Sequence, residues 1–143
     1  MIQSMEKIDI YKVSKYWLEM AKDDLKVMDD LCDKGHYPYA LFFGHLVIEK
    51  TLKAYYIIKI ENHAPFTHQL LILAEKSKLN IKEHYKNLLE IITRFNIEAR
   101  YPDQKMAFHK MCNKKFADEY ILKIKELYKW LLKEIESLTK SKS

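Results

Sequence analysis

At 143 residues, 48% of them hydrophobic and 31% charged, the chain is long enough to bury a real core and has an ordinary soluble composition. Two glycines and three prolines leave few tight turns, which favours long helices over a strand-rich fold. The net charge of +5 permits an anionic partner without demanding one, and no apolar run approaches the roughly 20 residues that span a bilayer.

The opening stretch, MIQSMEKIDIYKV, mixes charges with single apolar residues, so no signal peptide and no membrane segment are expected. Cys32 and Cys112 lie far apart and match no metal spacing; a reduced pair in the cytoplasm is the expectation. With no internal repeat and no low-complexity linker, residues 1–143 read as a single domain.

Ser14 is placed to cap a first helix that runs to about Lys34, with Gly35 as its stop signal. The seam of that helix is Trp17, Ala21, Asp24, Met28 and Leu31, with an acid in its middle. Either Asp24 leans to the edge and meets solvent or an exposed lysine, or it pairs with Lys50 or Lys53 on the second helix. The short connection Gly35, His36, Tyr37 and Pro38 makes the first two helices antiparallel neighbours.

The second helix, residues 37–59, is the centre of the pattern. One seam is Ala40, Gly44, Val47, Thr51, Ala54 and Ile58, small enough for another helix to come close. The opposite seam holds Phe42, His45, Glu49, Lys53 and Tyr56. A helix apolar around most of its circumference is buried on most sides, so Glu49 and Lys53 need partners.

Thr67 reads as the N-cap of a short helix over residues 68–78, with His68 in the first turn as a loop-bracing residue. A fourth helix, residues 81–99, has the seam Leu88, Ile92, Phe95 and Ala99. Pro102 then blocks continuation and extends Tyr101, and the weakly periodic residues 104–113 read as a mobile loop or irregular turn. The last helix, residues 113–138, has a regular seam from Ala117 to Leu138, with its lysines mainly on the solvated face. The expected fold is all-α, an up-and-down bundle of four long helices plus one short helix.

Arg100, Lys105, His109, Lys110, Lys114 and Lys115 gather positive charge where the chain enters the last helix. The amide donors of a helix N-terminus would add to an anion site there, and Tyr101 or Phe108 could stack on a base. The competing reading is solvated lysines, with Arg100 in a salt bridge to Glu49, Glu98 or Asp103. His45 and Glu49 form an i, i+4 pair that could supply half a metal site. No second pair matches it and Lys53 would repel a cation, so no metal and no cofactor are expected.

The segments WLEMAKDDLKVM, ALFFGHLVIEKTLKAYYI, PFTHQLLIL and IEARYPD, in that order before a long last helix, resemble the prokaryotic HEPN domain over most of the chain. The resemblance implies a dimeric helical bundle, often encoded beside a small nucleotidyltransferase in a toxin–antitoxin-like pair. Some HEPN proteins are metal-independent RNases carrying an Arg, four to six intervening residues and a His. Those residue types suit the chemistry: Arg holds the phosphate, while His moves the proton of a ribose hydroxyl. Here His109 follows Arg100 with eight residues between, outside that window.

The reading favoured by these features is a binding and regulatory module, a homodimer that partners a nucleotidyltransferase and holds a nucleotide, RNA or other phosphate-bearing ligand. Its site residues are Glu49, Lys53, Arg100, Tyr101 and Asp103, with Asp24, Lys50 and His68 as structural polar groups. The alternative is a metal-independent RNase toxin using Arg100 and His109. A protein-interaction bundle without a small ligand is the third reading.

Overall fold

The computed structural model describes residues 8–142, with the side chains of residues 102–105 outside the described part. Six α-helices follow one another: α1 (Ile10–Asp33), α2 (Tyr37–Ile60), α3 (Leu70–Lys76), α4 (Glu83–Glu98), α5 (Pro102–Met111) and α6 (Lys114–Lys142). The fold is all-α, with no strand among the described residues.

α1 begins one turn earlier than its sequence signal. Asp9, not Ser14, is the N-cap, its carboxylate accepting from the Lys12 amide at 3.0 Å. Ser14 sits inside the helix and turns its hydroxyl back onto the Ile10 carbonyl at 2.7 Å, the other local bond open to a serine. The C-terminus closes in a Schellman motif, with His36 N–H on the Leu31 carbonyl and Gly35 N–H on the Cys32 carbonyl. Gly35 has φ +84°, the left-handed conformation that such a cap requires.

That closure sends α2 back along α1 and into the centre of the bundle. Fourteen of its 24 residues are buried, so it has no solvated face to spare. It packs against α1, α6, α4 and α3. The small-residue seam is the tight contact. A Cβ added at Gly44 would lie 2.6 Å from Ile124 Cδ1 on α6 and 3.3 Å from the Met28 sulfur on α1.

Residues 104–113, read from sequence as a loop, are mostly helical: α5 is a second short helix, making four long and two short. Pro102 ends α4's run but also starts α5, because a proline at the first helical position gives up only an amide that had no partner. The weak periodicity of α5 reflects sparse burial, with Phe108 buried and Met106, Ala107 and His109 exposed. Phe108 stacks on Phe95 of α4 at a centroid distance of 5.7 Å.

α3 also differs at its start. Thr67 accepts from the Gln69 amide at 3.1 Å, but the helix begins at Leu70 with Gln69 as N-cap. The Leu70 amide is satisfied instead by the Thr93 hydroxyl of α4, at 3.1 Å. This bond ties the α2–α3 loop to α4.

Candidate functional site

His45, Glu49 and Lys53 stand one turn apart on α2, on the face toward the loop that leads into α3. Glu49 is 4% exposed and Lys53 7%, a degree of burial that costs several kcal/mol per charge without partners. Both are satisfied. Lys53 Nζ donates to Glu49 Oε2 at 3.0 Å, and His68 Nδ1 lies 2.8 Å from Glu49 Oε1. Burial alone would push the Glu49 carboxyl up. The hydrogen bonds from His68 and Lys53, with the Lys53 charge, outweigh it and hold the carboxyl below its ordinary range.

His45 completes the cluster from beneath. Its side chain is wholly buried, and Nε2 sits 3.0 Å from the His68 carbonyl and 3.7 Å from Glu49 Oε1. A carbonyl only accepts, so Nε2 carries the hydrogen and Nδ1 is left with its lone pair. That Nδ1 is the one buried side-chain nitrogen or oxygen without a partner among the described residues. Burial first, then the charges of His68 and Arg100, pull the His45 pKa below the ordinary histidine value, against the pull of the His68 carbonyl and Glu49. His45 is therefore a neutral strut under the loop rather than a charged partner for Glu49.

Above the cluster, Lys53 Nζ lies 5.0 Å from the Trp17 ring centroid and 5.9 Å from that of Phe66. Phe66 is 93% exposed, and it packs edge-on to His68 at 5.8 Å. A large aromatic ring is thus held in solvent by a loop that a buried ion pair fastens down. Its position depends on a loop conformation that no sequence periodicity encodes. The one signal for it in the sequence is an aromatic beside Pro65 just before the T-H pair.

Arg100 and Tyr101 lie at the junction of α4 and α5. Arg100 is exposed; its Nε donates to the Asn96 carbonyl at 3.1 Å, and its guanidinium lies 5.6 Å from the Tyr101 ring. Among the described residues no carboxylate pairs with it: Glu49 is taken up by Lys53 and His68 instead. Tyr101 is half-exposed and is the N-cap of α5, with no capping bond from its side chain. The Arg100 charge acts on His45, which links this junction to the α2 cluster. The Asp103 and Lys105 side chains fall outside the described part.

The remaining singled-out residues are elsewhere. Lys50, not Lys53, meets Asp24, at 2.5 Å, with both side chains 14% exposed between α1 and α2. His109 is in the last turn of α5, edge-on to Tyr39 at 5.8 Å, and Lys114 is paired with Asp118 at 2.5 Å. Burial pushes the Cys112 thiol up to about 12, far from the range of a nucleophile.

The chain matches the HEPN domain family over residues 14–135. It belongs to that family. The same fold shows in a solved structure, TT1696 from Thermus thermophilus, similar at a TM-score of 0.70 and 20% identity over 87% of this chain and 97% of that one. No curated protein matches the sequence. In this HEPN chain the motif E-K-x-x-K-A supplies Glu49 and Lys53, T-H supplies His68, and A-R-Y-P-D supplies Arg100 and Tyr101. No described helix is long and apolar enough to cross a membrane.

Proposed function

We propose that this chain acts as a single HEPN binding and regulatory domain, a homodimer in the cytoplasm that pairs with a nucleotidyltransferase and holds a phosphate-bearing ligand at Arg100 and Tyr101. Dimerisation and the nucleotidyltransferase partner rest on family membership. The ligand reading rests on Arg100, an exposed guanidinium unclaimed by any described carboxylate, beside a half-exposed aromatic ring and the uncapped start of α5. Its planar fork suits two phosphate oxygens at once, and the first-turn amides of α5 favour negative charge. Glu49, Lys53 and His68 serve as the scaffold behind it, since the Glu49 carboxylate is already taken up by the Lys53 ammonium and the His68 ring. Asp103 is the candidate to orient Arg100.

The observation that sets this above the RNase alternative is helix α5. Arg100 precedes its first turn and His109 occupies its last, so the two are separated by roughly 10 Å of helix rise. His109 is also packed on Tyr39, away from the loop role that would let it reach a phosphate held by Arg100. This separation within one protomer supports binding over cleavage.

Titrating a fluorescent ATP analogue and a short single-stranded RNA onto the protein tests the proposal. Arg100→Ala should weaken whichever binds by about tenfold or more, the scale of one charge-assisted contact. Equal binding by parent and variant would make Arg100 structural and overturn the site.

A further inference from the structure

At the end of the bundle, α1, α2 and α6 leave a groove of about 630 Å³, built apart from the Arg100 site. Its floor is Ile10, Leu18, Ile58 and Ile135. Two hydroxyls line it, but each donates to its own helix: Ser14 to the Ile10 carbonyl at 2.7 Å and Thr139 to the Ile135 carbonyl at 2.8 Å. The floor therefore offers a ligand apolar contact, its two hydroxyl protons being already committed.

The rim is charged, and unevenly. Lys142 is matched by Glu61 at 2.7 Å. Lys15 has no carboxylate partner among the described residues and rests its ammonium 5.7 Å from the exposed Tyr11 ring. One cation is left over at the mouth of an apolar trough whose volume falls in the usual small-molecule range of roughly 300–1,000 Å³. We propose that this groove binds an amphipathic monoanion, an unbranched acyl chain with a carboxylate head. The chain lies on the four aliphatic side chains and the head faces Lys15. Charge complementarity selects this ligand over a neutral or cationic amphiphile, because Lys15 is the single unbalanced group among the described residues of the rim.

Calorimetric titration with decanoate, against decyltrimethylammonium as the chain-matched cation, decides the matter on the full-length protein. Decanoate should bind, and the cation should bind at least several-fold more weakly. Lys15→Glu should reverse that order. Thr139→Trp, which fills the groove from a helix surface without touching the core, should abolish both. Circular dichroism confirms that each variant folds. A chain lacking residues 1–7 should bind decanoate as the parent does. Equal affinity for the two amphiphiles, no effect of Thr139→Trp, or no decanoate binding would overturn the proposal. Binding that emerges only on removing residues 1–7, or only as the protein dissociates to monomer, would also overturn it, by giving the groove to the chain's own start or to a second copy.

Discussion

His45 is the residue whose environment makes the sharpest physical claim. It is fully buried, its Nε2–H is fixed by the His68 carbonyl, and Glu49, His68 and Arg100 are the charged or titratable groups that act on it. Its folded-state pKa lies below the ordinary value, as does that of Glu49. In both cases the unfolded chain binds the proton more readily, so stability is present above the unfolded-state pKa and is lost on acidification. The His45 loss begins as pH falls below about 6.5, and the Glu49 loss follows below about 4.3. His45→Gln, whose amide can still donate to the His68 carbonyl, should flatten the melting-temperature profile between those values while leaving the acid limb. A variant profile parallel to the parent's throughout would show that His45 does not titrate on unfolding. The sequence shows that Glu49 and Lys53 need partners and that His68 braces a loop, but it does not show that these groups meet, and there His45 and Glu49 resemble half a metal site. Their partner His68 comes from a loop, and loop conformation has no periodicity to betray it.

At the level of elements, the two seams of α2 make separate predictions. The small-residue seam is legible because its spacing is regular, and the structure gives it a steric reason in Ile124 and Met28. Gly44→Glu should cost about 3 kcal/mol or more through overlap and an unpaired buried charge, lowering the melting temperature by roughly 10 °C. Gly44→Ala should be partly rescued by Ile124→Val, which deletes the conflicting Cδ1. A Gly44→Glu protein that melts within a degree or two of its parent would remove the close approach from the account. Between α1 and α2, the Asp24–Lys50 pair should show coupling of about 1 kcal/mol or more in a double-mutant cycle, since each single deletion strands a part-buried charge. Additive effects of the two substitutions would contradict it. Sequence spacing alone leaves Lys50 and Lys53 both open as partners of Asp24, because the choice depends on the rotation of α2 about its axis. The helix ends are less legible. Ser14 and Thr67 are good capping residues that the chain uses for other local bonds, and Pro102 is both a stop and a start.

Across the whole molecule, the all-α bundle and its helix order follow from the long seams, and the short motifs point to the HEPN family that the chain belongs to. Function depends on something the seams do not specify, the distance between Arg100 and His109. Read as a loop, residues 104–113 leave that distance open; folded as α5, they carry His109 to the helix's last turn, while Arg100 stands two residues before its first. The central claim is that this arrangement binds rather than cuts. Incubating single-stranded RNA with the protein in EDTA, alongside Arg100→Ala and His109→Ala, tests it most directly. The account predicts intact RNA in all three reactions. Robust cleavage by the parent that disappears in both variants would contradict it and establish the RNase.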